Sequence, residues 1–456
     1  MSNKMRIPRE KQAEMGDFFL RVATGPWLAR FGLLGLLCAC AAGQHPAEET
    51  GLLANSRFHY EITSSSGFSH LQVRVCFEGN PPRRLVAVRD RAADLLVQAH
   101  GPDSEPLTIA GSAIELGRLT PGSCIRYTVD LGFGGWGRDL VRHENDLLLS
   151  HNLLLWWPEG AGSDAEIDVR FSLPGTHVSA PWIHGDGPHT LTGADLQRAG
   201  NLALTEAPTF SMTEGETTVE VAVMQGALSV DRDGLQRWLS SAVQAVSTIS
   251  GRFPRPHLHL IVVPIGEGNA PVAFGLVRRG GGPSVMLLVH DNATEERLTA
   301  DWTAIHELTH LAMPQMYSED RWLSEGFATY YQEVLRVRAG LLDEKEAWRR
   351  LVDRIAGAGE RGGGRDLWQT SARFSDVQRI YWGGTAFMLT ADVALRERGN
   401  SLDQVVAAAQ AAWLETADRT WHGRDCFAEL DAALGEPFLL PLVEQHGRRR
   451  SLPPMD

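Results

Sequence analysis

His306-Glu307-Leu308-Thr309-His310, followed by Trp322-Leu323-Ser324-Glu325-Gly326, decides how this chain is read. Two histidines four apart on a helix share one face, one turn above the other, so their imidazoles converge on a single ion. Glu307 lies one residue round from His306 and flanks that ion without having to bind it. This is where a carboxylate can take a proton from a metal-bound water. Glu325 then supplies a third ligand and leaves a fourth position open, as catalytic zinc requires. The expected metal set is His306, His310 and Glu325, holding one Zn2+ per chain.

The five-residue pattern fixes only three positions, so an ordinary amphipathic helix carrying two histidines is the competing reading. The flanking sequence favours the metal. Leu298, Trp302 and Ile305 recur at helical spacing and Pro314 closes the segment. Leu323, Phe327, Tyr330 or Tyr331, and Val334 give a second helical pattern, with Glu325 near its start.

The helix, the short loop and Trp322-Leu323-Ser324-Glu325-Gly326-Phe327-Ala328-Thr329-Tyr330 together resemble the gluzincin zinc metallopeptidases. The nearest likeness is to the glycyl aminopeptidase-like family, with the aminopeptidase N family more distant. Tyr381-Trp382-Gly383-Gly384-Thr385-Ala386 resembles the Tyr-x-Lys-Gly stretch that opens a helix beside the metal in those families, and Ser401-Leu402-Asp403-Gln404-Val405 continues the likeness. It is specific over residues 300–440 and general before 230. The resemblance implies peptide-bond hydrolysis by a zinc-activated water, with Glu307 as general base and Tyr381 stabilising the oxyanion. Without it, a buried core tyrosine is the plainer reading of Tyr381.

This sequence also departs from the family pattern. Gly383 stands where those families have lysine, and no Gly-x-Met-Glu-Asn segment is present. Its positional counterpart, Ala273-Phe274-Gly275-Leu276-Val277-Arg278, carries no carboxylate to hold a substrate amine, so aminopeptidase and endopeptidase action both stay open. The interval from His310 to Glu325 is short and requires a tight loop. No stretch before Asp456 resembles the PDZ domain of many relatives. Two alternatives follow: an inactive peptidase-like lipoprotein used for binding or assembly in the cell envelope, and a zinc hydrolase of a non-peptide amide or ester.

Around the motif, Val285-Met286-Leu287-Leu288-Val289 reads as a buried strand. It is either the edge strand on which an extended peptide adds, or a plain core strand. Arg278-Arg279-Gly280-Gly281-Gly282-Pro283 reads as a turn and not as a phosphate loop; its arginines either meet a substrate carboxylate or, the plainer reading, are solvated. Residues 357–365, rich in glycine, read as a connection or lid. Trp348, Trp368, Phe374 and Trp382 are expected in the core.

At the N-terminus, Lys11, Arg21 and Arg30 precede an apolar stretch over 31–43 that suits a secretory signal and is too short to span a bilayer. Leu37-Cys38-Ala39-Cys40 resembles a lipobox with Cys40 as the lipidated residue; cleavage after Ala41, Ala42 or Gly43 is the alternative, and Met5 or Met15 are further possible starts. Export to the cell envelope follows, as a membrane-anchored lipoprotein or a periplasmic protein. Cys76 and Cys124 lie in strand-like segments and read as a disulfide or as two buried thiols, with Cys426 buried and free.

The 456 residues are 43% apolar, enough for two or three cores, and the net charge of −13 disfavours nucleic acid as a partner. The expected partner is a peptide or protein substrate, with a membrane contact only through a lipid on Cys40. The expected fold is α+β: a leader over 1–43, an N-terminal antiparallel β-sandwich over 44–175 and a connecting β-rich segment over 176–230. A thermolysin-like zincin domain with a helical C-terminal part follows over 231–446, then a tail over 447–456. The connection runs through His177, Trp182, His184 and His189; its histidines lack ligand spacing and are expected on surface loops.

Overall fold

The computed structural model describes Leu53 and residues 56–64, 68–132, 139–183, 189–360, 365–374, 376–415 and 419–451. The leader with Cys38 and Cys40, His184, and the glycines at 362–364 lie outside the described residues. Among the described residues, no helix is long and apolar enough to cross a membrane.

Period-two alternation builds the first unit. In Arg57–Thr63 the residues Phe58, Tyr60 and Ile62 are buried, and in His70–Glu78 so are Leu71, Val73, Val75 and Phe77. These strands belong to a six-stranded sheet ordered His189–Thr192, Glu166–Ser172, Arg57–Thr63, His70–Glu78, Cys124–Asp130, Leu96–His100. Its pairings are antiparallel except that Arg57–Thr63 runs parallel to Glu166–Ser172. Two four-stranded sheets complete the unit. Tyr60 and Tyr127 reach across its core and donate to the Trp156 and Leu154 carbonyls, each at 2.5 Å. Cys76 and Cys124 stand opposite each other in register and form a disulfide; Cys426 is free and buried.

The second unit centres on a five-stranded sheet ordered Phe210–Glu214, Thr217–Val223, His257–Pro264, Ser284–Val289, Val272–Arg278. Val219, Val221, Leu258, Leu260, Val262, Val285 and Leu287 face the helices. The alternate residues, among them Ala222, Ile261, Val263, Met286 and Leu288, face the first unit and pack on its Val141, Leu148 and Ala203. Burial on both faces makes the central strands read as unbroken apolar runs. Each such aliphatic side chain contributes roughly 2 kcal/mol of burial free energy.

On the helical side, Asp231 caps Arg232–Ser247 by accepting from the Gly234 amide at 2.8 Å. The helices Thr303–Thr309, Arg321–Arg338 and Val377–Arg396 follow, and further helices run to Leu439–Gly447.

Several expectations change. Ser284–Val289 lies between His257–Pro264 and Val272–Arg278, so its ladder groups are used on both sides; among the described residues the outermost strand, next to the motif helix, is Val272–Arg278. An apolar run reports burial and says nothing of position in the sheet. The segment 176–230 does more than connect. His177–Ser179, His189–Thr192 and Asn201–Thr205 pair into the first unit, while Phe210–Glu214 and Thr217–Val223 pair into the second. His177 and His189 therefore begin strands, and Trp182 is buried between His151 and Phe171. Gly357, Ala358 and Gly359 continue the helix Glu344–Glu360. Trp348 is exposed on that helix rather than in the core, and Trp368 and Trp382 are only partly buried against it.

Candidate active site

The motif helix Thr303–Thr309 begins where Asp301 Oδ1 accepts from the Thr303 amide at 2.7 Å, and His310 continues it in a tighter turn. Its apolar face, Ala304, Ile305 and Leu308, packs in the core. The opposite face turns His306, Glu307 and His310 into a cleft of about 850 Å³ between the edge strand, the ligand helix and the first unit.

The ligand helix Arg321–Arg338 carries Glu325 to the same point. Glu325 Oε2 lies 3.4 Å from Nε2 of His306 and 3.4 Å from Nε2 of His310. The donor atoms of the three residues all fall within 4.8 Å of one another. The structure thus brings the expected metal set together.

The far sides of both rings are held by the ligand helix. Gln332 Nε2 donates to Glu333 Oε1 at 2.8 Å, which leaves Gln332 Oε1 to accept from His306 Nδ1–H at 3.0 Å. Gln332 is seven residues beyond Glu325, hence on the same helix face. Buried Glu333 meets buried Arg336, which donates to the Ala300 carbonyl at 2.7 Å. His310 Nδ1 lies 3.1 Å from Ser324 Oγ. With Nδ1–H of His306 spent on Gln332, its Nε2 presents a lone pair toward the Glu325 carboxylate. Glu325 Oε2 is buried without a hydrogen-bond partner. A lone pair and a carboxylate oxygen pointed at one buried spot are unfavourable unless a cation sits there. Two imidazoles and one carboxylate are the donor set of a catalytic zinc, so the residues fit that ion.

Glu307 lies under the edge strand. A Cβ on Gly275 would fall 2.3 Å from Glu307 Cγ, so only glycine admits the carboxylate there. Burial pushes the Glu307 carboxyl up to about 7, with Glu325 adding and His306 opposing. Burial would also raise Glu325, but positive charge on the His310 and His306 side holds it well below the usual carboxylate range, as the cation called for above would.

Tyr381 arrives from the helix Val377–Arg396, whose start Asp376 caps at the Arg379 amide at 3.1 Å. Its ring stacks on His306 at 5.9 Å and 4°. Burial, then the Glu325 and Glu307 carboxylates, raises its phenol well above the ordinary value, so it stays a protonated donor. Trp302, 42% exposed, stands edge-on to His306 at 5.4 Å.

Three residues were misjudged by sequence. Neither arginine is simply solvated: Arg278 is buried and ion-paired with Asp139 at 2.6 Å, and Arg279 is half-buried, lines the cleft and donates to the His310 carbonyl at 2.5 Å. Phe374 is not core. It is half-exposed in the cleft wall, in the left-handed region at φ 48°, with the Arg321 guanidinium 4.5 Å over its ring. Gln332, Ser324 and Glu333 were missed; their phase relative to Glu325 on one helix was the available signal.

Residues 308–382 match the model of the M61 glycyl aminopeptidase family. No curated protein sequence matches the chain. Among solved structures, the chain is similar to an aminopeptidase N family protein from Idiomarina loihiensis, at TM-score 0.69 and 14% identity over 86% of this chain and 76% of that one. It is also similar to the M1 zinc metallopeptidase of Deinococcus radiodurans, at TM-score 0.54 and 16% identity over 88% of this chain and 94% of that one. A mutant of the latter bound to a Tyr-Ser-Ala substrate aligns at TM-score 0.55 and 16% identity, over 88% and 95%. The chain is gluzincin aminopeptidase-like in both its motif segment and its two-unit fold.

Proposed function

We propose that this protein is a zinc metallopeptidase that hydrolyses peptide bonds in the cleft beneath the strand Val272–Arg278. The observation that carries the reading is the convergence of His306 and His310 on Glu325 Oε2, each at 3.4 Å, with Glu307 in the same cleft and Tyr381 stacked on His306. The likeness of residues 308–382 to M61 glycyl aminopeptidases supports it.

His306, His310 and Glu325 would hold one zinc ion. When bound, that ion supplies a Lewis acid that polarises a carbonyl and acidifies water. The chain's own residues do the remainder. Glu307 accepts a proton from water at its carboxylate and returns it to the leaving amine. Tyr381 donates its O–H to the oxyanion as charge develops. Gln332 and Ser324 fix the imidazole orientations, so the site needs no rearrangement on binding. The edge of Val272–Arg278 offers backbone groups to an extended peptide. The strand Val272–Arg278 carries no carboxylate to receive a substrate amine, which argues against aminopeptidase action.

We infer export as well. The signal-like stretch over 31–43 and the Cys76–Cys124 disulfide both support an oxidising compartment, with Cys40 as the possible lipid attachment.

Metal analysis of the purified protein, before and after chelation, joined to cleavage of a mixed peptide library, tests the function. Zinc near one per chain, with cleavage lost on chelation and restored by zinc, is expected. Stoichiometric zinc with no peptide cleaved contradicts it.

A further inference from the structure

The cleft contains a cationic corner beside the metal set, lined by Arg279 and Arg198. Arg279 sits there beside a metal ligand, with one Nη held by the His310 carbonyl and no other side-chain hydrogen bond among the described residues. The charges acting on it come from Arg255 and Arg198, both of its own sign. Arg255 is 8% exposed, and Arg198 lines the same cleft. Among the described residues, no ion pair joins Arg279 or Arg255 to a carboxylate. The next residue shows the ordinary solution: Arg278 is neutralised by Asp139 at 2.6 Å. Arg279 and Arg198 are half-buried beside the buried Arg255, and like charges held where water is partly excluded are costly in a chain of net charge −13, where carboxylates are plentiful. Such an arrangement is offset when an anion binds, and a guanidinium matches a carboxylate with two parallel hydrogen bonds.

We propose that Arg279, backed by Arg255 and Arg198, forms a carboxylate-binding subsite beside His310, which selects peptides carrying an acidic group close to the scissile bond. This rests on the peptidase reading and adds the substrate class. The same corner repels a free α-amino group, so it works against aminopeptidase action.

The test offers the full-length protein matched fluorogenic peptides with Asp, Asn or Lys beside the scissile bond and with a free or amidated C-terminus. Expected is a kcat/KM for Asp about tenfold above Asn, with Lys lowest. The Asp/Asn ratio falls toward one in Arg279→Gln and in Arg255→Gln, and is kept in Arg279→Lys. If amidation alone removes the preference, the bound carboxylate is the C-terminal one. A wild-type protein indifferent to both carboxylates, or a preference that survives Arg279→Gln and Arg255→Gln, overturns the subsite. Binding of the labelled Asp and Asn peptides to Glu307→Gln protein is followed in parallel by anisotropy. Preferential binding of the Asp peptide, lost in the added Arg279→Gln, with no peptide cleaved by wild type, sustains the subsite and contradicts the peptidase reading. Equal binding of both peptides overturns the subsite whatever is cleaved.

Discussion

Gly326 and Gly384 bring two helix backbones into direct contact. A Cβ on Gly326 would fall 2.3 Å from the Gly384 carbonyl carbon, and one on Gly384 would fall 1.9 Å from the Trp322 carbonyl oxygen. Gly326 follows Glu325, and Gly384 lies one turn after Tyr381. The contact therefore sets how close the oxyanion donor stands to the metal ligand. Gly384→Ala should push the helices apart despite the better helix propensity of alanine, costing roughly 1–3 kcal/mol as overpacking does. Activity should fall by more than the unfolded fraction explains. Thermal unfolding measured beside kcat checks this; unchanged stability with unchanged kcat contradicts the contact.

Tyr381→Phe keeps the ring that stacks on His306 and removes only the hydroxyl. A fall in kcat of about 10²–10³ is expected, with KM and zinc content nearly unchanged. A fall confined to KM would make Tyr381 a binding residue instead.

Gln332→Leu removes the acceptor of His306 Nδ1–H and keeps the side-chain bulk. Zinc affinity, read by competition with a chelator, should drop about 10–100-fold. Unchanged affinity would show that His306 is oriented by packing alone.

Three buried histidines make the fold acid-sensitive. Burial lowers His151 to about 4, His259 to about 3 and His446 to about 4. Each is neutral when folded, whereas the unfolded chain takes up the proton near 6.5. Their contribution is complete above about 6.5 and is lost as pH falls toward 3–4, by up to ~1.4 kcal/mol per pH unit for each. His259→Gln should flatten the pH dependence of unfolding free energy between pH 4 and 6 by about one proton. An identical slope in the variant would contradict the assignment.

How much was legible follows from what each residue depends on. The metal set was readable because a fixed spacing on one helix fixes direction in space, and Glu325 because the next helix begins so soon after. Tyr381 was readable only through resemblance, since its approach depends on a glycine contact between segments 58 residues apart. Arg278 was misread because its burial is imposed by another unit: its partner is Asp139, 139 residues earlier. Edge and core readings of Val285–Val289 both stayed open because hydrophobicity encodes burial, while sheet order is settled by the hairpin between Val272–Arg278 and Ser284–Val289.

The most direct test is Glu307→Gln, with zinc content and peptide cleavage measured on mutant and wild type together. Glu307 touches no other described ligand-holding group by hydrogen bond, so the substitution should leave zinc near one per chain while cleavage falls by about 10²-fold or more. Cleavage undiminished in a zinc-loaded mutant would contradict Glu307 as the base, and wild-type protein that holds no zinc would contradict the account at its root.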